Sequence, residues 1–439
     1  MNPNLSRVLY STVSYLLTPV ALARLGIKSR KNSGYRQSIG ERFGFIENPV
    51  RRAKHIHFHA VSVGETLAAE PMIKSLAEQH SDLSISLSVT TPTGREQAEK
   101  RLSHLAAISY LPFDTPGAVK RFLGRIQPDV LVMVETELWP NLVDHCRKKD
   151  IATLLLNGRM SAKSAKNYLK TPSLTKQMMS QITLVLAQFD DDAARFLQLG
   201  CSSEAVITSG NLKFDIELSA ELEAEARQLK AAWQLEQRPV WIAASTHPGE
   251  EEQILEVHKA LLDSHPNLFL ILAPRHPDRR SELESVLHGQ EMDFAVRSDL
   301  NANSHISENA KVLLVDTLGE LNKFYGLSDL AFVGGSLIPH GGHNPIEPAL
   351  WELPILTGMH CHNFMEITDQ LVAAGSLRQC ANNLDLRERI SELLRSKDMR
   401  EQIGKSSHLV LQANQGSLKR QKALIERLLY PSAGPSFIA

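Results

Sequence analysis

Two glutamates and a lysine sit where short apolar runs of this chain give way to polar residues. Glu65 lies in Val61-Ser62-Val63-Gly64-Glu65-Thr66, behind the run Ile56–His59. Glu135 opens Glu135-Thr136-Glu137-Leu138-Trp139-Pro140, behind the run Val130–Val134. Lys213 lies in Gly210-Asn211-Leu212-Lys213-Phe214-Asp215. A carboxylate held by backbone donors can take a proton from a hydroxyl. Two acids at the end of a buried strand are costly unless partnered, which favours a functional role over a decorative one. Ser62 and Glu65 equally fit a capping box, in which Glu65 serves only its own helix. Lys213 suits an anionic substrate, although a lone surface lysine is ordinarily just solvated.

Three further clusters suit a nucleotide. In Ala273-Pro274-Arg275-His276-Pro277, the forked donors of Arg275 match a phosphate. Asp316-Thr317-Leu318-Gly319-Glu320 reads as a helix start whose free N–H groups could meet another phosphate oxygen, with Thr317 and Glu320 as a capping box. The third runs from Gly334 to Glu347. The strand-like run Leu330–Val333 ends at two glycines, a Gly-rich loop follows, and a helix start comes next. Asn344 is a favoured N-cap, Pro345 suits the first helical position, and Glu347 falls where a capping acid belongs. Such a loop lets backbone approach a ligand and presents a helix N-terminus to it. The alternative is a tight strand-to-helix turn with Glu347 capping its own helix.

These clusters need elements to hold them. Strands are expected at Ile56–His59, Ile85–Thr90, Ile108–Leu111, Val130–Val134, Thr153–Leu156 and Leu184–Ala187. Helices are expected at 66–79, 94–103, 116–126, 139–149, 161–180 and 191–199. The charged stretch 217–237 reads as a helical connector. Strands then resume at Val240–Ala244, Leu268–Ala273, Phe294–Val296, Val312–Val315, Leu330–Val333 and Ile355–Leu356. Alternation of this kind means parallel sheets covered on both faces, and ligands bind beyond the carboxyl ends of their strands. The expected fold is α/β, with two doubly wound Rossmann-like domains facing across a cleft. The expected boundaries are 1–30 for an N-terminal membrane anchor or interfacial helix, 31–216 for the first domain and 217–430 for the second. No G-x-G occurs, so the dinucleotide fingerprint is missing. Gly404-Lys405-Ser406 imitates the end of a P-loop, but Met399 stands where the first glycine belongs. Asp190-Asp191-Asp192 precedes a helical pattern and reads as capping rather than metal binding.

The chain has 439 residues, 43% hydrophobic and 22% charged, as expected of a soluble multidomain protein. Its net charge of −1 is unevenly distributed. Residues 1–54 hold ten Lys/Arg against Glu41 and Glu47, a net +8, so the remainder carries −9. A basic, acid-poor end points to anionic lipid or another polyanion. Val8–Ala23 is nearly uncharged and bounded by Arg7 and Arg24, with more cations after it than before. This suits a retained segment that spans once or lies in the interface, keeping the body cytoplasmic. The four cysteines are far apart, with no C-x-x-C pair, which suits a reducing compartment.

Taken together, the motifs resemble the 3-deoxy-D-manno-octulosonic acid (Kdo) transferases of lipopolysaccharide synthesis. The resemblance runs through Gly40-Glu41-Arg42-Phe43-Gly44, the Val61–Thr66 and Glu135–Asn141 segments, and Gly210–Asp215. It continues through Ser245-Thr246-His247-Pro248-Gly249-Glu250-Glu251, Pro274–Pro277 and Gly341–Glu347. It implies a GT-B fold, a CMP-Kdo donor, a lipid A precursor (lipid IVA) as acceptor, and an inverting transfer with no metal and no other cofactor. Carried over by motif, Glu65 is the catalytic base, and Glu135 and Lys213 stabilise the transition state. Pro274, Arg275, Leu318, Gly319, Glu320, Asn344, Pro345, Ile346 and Glu347 bind CMP. The Gly40–Gly44 segment lies on the acceptor side, near the inner membrane, whose cytoplasmic face is the expected location. No nucleic-acid partner is expected. Two alternatives are another GT-B enzyme using a UDP-sugar, and a non-catalytic membrane-bound nucleotide-binding protein.

Overall fold

The computed structural model describes residues 3–30, 32–301 and 304–431. Lys31, counted above among the N-terminal cations and opening the expected first domain, lies outside them. The chain divides into two compact units: Met1–Asp215 with Gln415–Ala439, and Ile216–Asn414.

The first unit is built on seven strands: β1 (Lys54–His59), β2 (Leu83–Val89), β3 (Ala106–Tyr110), β4 (Val130–Val134), β5 (Ala152–Gly158), β6 (Leu184–Ala187) and β7 (Val206–Thr208). They form one sheet in the order β3-β2-β1-β4-β5-β6-β7, all pairs parallel. Strand residues alternate between two apolar layers: Val130, Val132 and Val134 belong to one, Leu131 and Met133 to the other. Both faces are therefore covered, which is why β4 reads as an unbroken apolar run. One exception to the apolar rule lies in β1. His55, His57 and His59 are buried opposite Ser84, Ser86 and Ser88 of β2. The His57 ring meets both Ser86 Oγ (2.7 Å) and Ser88 Oγ (2.9 Å), while the buried His59 Nε2 has no hydrogen-bond partner and lies 3.9 Å from Glu137 Oε2. Burial pushes the His55 imidazole down to about 4.

The second unit holds β8 (Val240–Thr246), β9 (Phe269–Pro274), β10 (Phe294–Val296), β11 (Val312–Leu314), β12 (Leu330–Val333), β13 (Ile355–Thr357) and β14 (Leu377–Gln379). Their order is β10-β11-β9-β8-β12-β13-β14, again with parallel pairs. Strand order reverses next to the first strand of each sheet, between β1 and β4 and between β8 and β12. Those crevices are where such sheets take ligands.

Several expectations change. The helix expected over 161–180 is two, Ala162–Tyr168 and Pro172–Met179, because Pro172 cannot continue the first and is well placed to begin the second. The connector is not a spacer: its helix Ala220–Ala232 buries Ala226, and Trp233 just beyond joins the second unit's core. The second unit stops at Asn414 rather than 430, because helix Ser417–Leu429 packs Ile425 and Leu429 into the first unit's core. Gly404 lies inside helix Lys397–Asn414, where a Cβ would run into the Glu352 backbone. It permits a close helix contact and has nothing to do with phosphate. Asp190 accepts from Thr208 Oγ1, Asp191 pairs with Arg195, and Asp192 accepts the Met160 N–H, so the acidic run is spent on structure.

Candidate active site

In the first unit, Glu65 sits one turn into helix Val63–Gln79, which leaves the carboxyl end of β1. Ser62 caps that helix, and Glu65 reaches back. Its Oε2 accepts the Val61 N–H at 2.6 Å and its Oε1 accepts the Ser62 hydroxyl at 3.0 Å. The capping box is thus real. The same carboxyl is also perturbed. Burial is the largest cause and pushes it up to about 7, the charges of Glu137 and Glu135 add to this, and the two hydrogen bonds oppose it.

Glu135 follows β4 directly and adopts φ +57°, a left-handed backbone uncommon outside glycine. Its Oε1 lies 3.6 Å from Lys213 Nζ. Glu137 lies beside it and accepts from the Trp139 indole at 3.1 Å. The Lys213 loop is braced by residues with no recognisable motif. Asn157, at φ +54° in β5, accepts the Leu212 N–H through its side chain at 3.0 Å. Gln188 accepts from the Asn211 amide at 3.0 Å, and Gln421 donates to the Gly210 carbonyl at 2.8 Å. Asp215 accepts the Gly416 and Leu418 N–H groups. Glu65, Glu135 and Lys213 therefore all stand at carboxyl ends of strands, or just past them, on one sheet.

In the Gly40–Gly44 segment, which lies in the first unit, the charged side chains are held from within. Arg42 is buried, donating to the Thr90 carbonyl at 2.9 Å and stacked 4.2 Å over the Tyr110 ring. Glu41 is taken by Arg95 and the Tyr110 N–H.

In the second unit the first part of the Gly-rich loop is occupied from within. The N–H groups of Gly335, Ser336 and Leu337 donate to the buried Glu250 carboxylate at 2.6, 3.0 and 2.9 Å, and the His247 N–H joins them at 3.1 Å. An internal anion already fills the nest. Gly334 is needed because a Cβ there would press on Ser245, which itself has φ +57° at the end of β8. The helix after the loop begins at Ile346, not Pro345, and runs one turn to Leu350. Asn344 accepts the Ile346 N–H at 3.1 Å and bonds Glu347, whose carboxyl is raised by burial. The helix after Gly319 is also a single turn, Leu321–Tyr325. Neither carries the dipole of a long helix. Glu320 accepts Thr317 Oγ1 at 2.6 Å and pairs with Arg297 at 2.8 Å, leaving Leu318 exposed and Gly319 in open space. Pro274 ends β9, and Arg275 is exposed beyond it with its N–H on the Thr246 carbonyl. Beside these, the His247 and His343 rings meet Nε2 to Nε2 at 2.7 Å, and burial pushes both down to about 4.

The two units match two different families. Residues 37–216 match the family described as 3-deoxy-D-manno-octulosonic-acid transferase, and 237–409 match glycosyl transferases group 1. Over 425 residues the chain is 40% identical to the 3-deoxy-D-manno-octulosonic acid transferase of Haemophilus influenzae, covering 96% of this chain and 99% of that one. The chain belongs to the Kdo transferase family. The Bordetella pertussis member is 33% identical, over 86% of this chain and 88% of its own. A solved glycosyltransferase from Rickettsia africae shares the fold, with a TM-score of 0.58 at 11% identity over 86% of this chain and 99% of that one. The fold is GT-B, and this Kdo transferase is a glycosyltransferase.

The Glu250 nest yields a prediction for this Kdo transferase. Glu250→Gln turns one acceptor into a donor facing N–H groups, which costs about 1–3 kcal/mol for each N–H left unpaired. The variant should unfold at lower urea concentration. An unchanged midpoint would mean that the loop holds itself.

Proposed function

We propose that this chain transfers Kdo from CMP-Kdo to a lipid A precursor, lipid IVA, inverting the anomeric centre, at the cytoplasmic face of the inner membrane during lipopolysaccharide synthesis. The observation that carries the reading is the Glu65 carboxyl: raised to about 7 at the β1/β4 crevice, it can both lose and regain a proton near neutrality. Its ionised form takes the proton of the acceptor hydroxyl as that oxygen bonds to the anomeric carbon. The bond from this carbon to the CMP phosphate breaks, and its electron pair leaves on the phosphate oxygen. Lys213, held near Glu135, offsets the negative charge of the donor carboxylate or departing phosphate. In the second unit Arg275 supplies charge to the phosphate and Glu347 accepts from ribose hydroxyls. Pro274, Leu318, Gly319, Glu320, Asn344, Pro345 and Ile346 shape the rest of the CMP site.

The N-terminal helix supports the membrane placement. Pro3–Lys28 is one helix, and Leu5–Lys28 is long and apolar enough to cross a bilayer. Polar groups along its length nevertheless bind the first unit. Tyr10 donates to Asp114 at 3.0 Å, Ser11 to Asn141 at 2.8 Å, Tyr15 accepts the Gly117 N–H at 2.9 Å, and Arg7 pairs with Asp144. Leu5, Leu9, Leu16, Leu17 and Val20 remain exposed, Leu16 to 71%. A helix anchored to protein by polar contacts, with leucines exposed, suits lying in the interface rather than crossing it.

Four outcomes test this reading. Glu65→Gln should cut turnover ~10²–10⁴-fold with CMP affinity held within a few-fold. Because the carboxylate is the active form, kcat/KM of the unaltered enzyme should rise with pH through about 7, and a folded variant with normal turnover would remove Glu65 from the chemistry. Calorimetry on Arg275→Ala and Glu347→Ala should show weakened CMP binding, and undiminished affinity in both would take the nucleotide away from these residues. Deleting residues 1–27 should release the protein from vesicles with both sheets still folded. An unfolded truncation, with full-length protein that floats free of vesicles, would make the segment a core helix.

A further inference from the structure

Three histidines converge where β8 and β12 end. His247 follows β8, and His340 and His343 lie on the loop after β12. One ligand atom from each lies within 4.8 Å of the others. The His247 and His343 rings are nearly parallel, 7° apart, with centroids 5.0 Å apart, and His340 lies 3.9 Å from His247. Three imidazoles at this spacing from two separate loops exceed what a turn needs, since one Nε2-to-Nε2 hydrogen bond requires only two. We propose that His247, His340 and His343 form a binding site for one divalent transition-metal ion of the Zn²⁺ class, which ties the Gly-rich loop to the end of β8.

The ligand set decides the class. Imidazole nitrogens without carboxylates suit zinc, cobalt, nickel or copper rather than magnesium or calcium. Three protein ligands leave a fourth position for water or an anion oxygen. Zinc–nitrogen bonds of ~2.0–2.1 Å in a tetrahedral site put ligating nitrogens about 3.3 Å apart. The 2.7 Å His247–His343 contact must therefore open by about 0.6 Å. The surrounding structure fixes both loops at the right places. Glu250 binds the His247 N–H and the N–H groups of Gly335, Ser336 and Leu337, so its one carboxylate joins the two ligand-bearing segments. Close approach is also required at Gly335, where a Cβ would sit 3.0 Å from the His343 ring and 3.4 Å from that of His340. Positive neighbours oppose a cation only in part. Arg279 is neutralised by Glu251 and Glu282, Arg275 is exposed to water, and the His276 ring lies 5.9 Å from that of His247.

The Glu65 chemistry above needs no such ion, so the site adds a control on the loop next to Asn344 and not a step in transfer. The full-length protein, stripped with chelator and dialysed against Co²⁺ without nucleotide or acceptor, should bind one ion per chain with the visible absorption of a four-coordinate site. Zn²⁺ should displace it. His340→Ala, at an exposed position, and His343→Ala should each weaken binding by no less than the ~10–100-fold typical of losing an outer-shell partner. Thermal melts of both variants establish that they are folded. No stoichiometric Co²⁺, or uptake that all three single His→Ala variants retain, would overturn the proposal and leave a His–His hydrogen bond only. Turnover with CMP-Kdo measured on the same stripped protein keeps this outcome separate from the transferase reading.

Discussion

Parallel strands covered on both faces leave no room for solvated polar groups along their length, so the chemistry of this protein is confined to where the strands stop. The β1 histidines show how strict the condition is, because each buried ring finds a serine partner on the next strand. At the strand ends the constraint relaxes and backbone strain gathers. Glu135 after β4 and Ser245 at the end of β8 both adopt φ +57°, and each borders a crevice where strand order reverses. A non-glycine residue held there costs on the order of 1–3 kcal/mol, which the rigid sheets around it must offset. The site is precise because the strands beneath it cannot shift.

Glu65 shows that a capping carboxyl can also be poised to exchange a proton near neutrality. The bonds that fix its carboxyl, from Val61 and Ser62, favour the ionised form, while burial and two nearby glutamates favour the neutral one. The balance lies near neutrality. A freely rotating carboxylate on the surface would be better solvated and a weaker base. One that was buried without donors would stay protonated and lack a fixed direction.

Much of the architecture was legible because β-branched runs announce buried strands. What escaped was short or remote. β7 and β14 are three residues each, and their runs are too brief to show a period. The helix starts at Asn344 and Thr317 carried good capping signals, yet each opens a single turn, since capping chemistry marks a beginning and says nothing about length. Glu65, Glu135 and Lys213 could be singled out because acids and a lysine beside apolar runs are costly. Asn157, Gln188 and Gln421 could not, because neutral amides carry no such signal and Gln421 acts across more than 200 residues of chain. Glu250 was in view as part of a motif, but its partners are backbone N–H groups, invisible in side-chain identities.

The path of the chain between the two units has a consequence for how the protein is made. Residues 417–429 complete the first unit, supplying Ile425 and Leu429 to its core and Gln421 to the Lys213 loop. Translation therefore completes the second unit before the last helix of the first. A nascent chain halted near residue 414 would carry a whole second unit alongside a first unit with an uncovered apolar seam and an unbraced Lys213. Domains usually fold in the order in which they emerge from the ribosome, and here that order is inverted for the last step. Frameshifts or proteolytic nicks before helix Ser417–Leu429 would thus damage the unit farthest from the lesion in sequence, while sparing the unit nearest it.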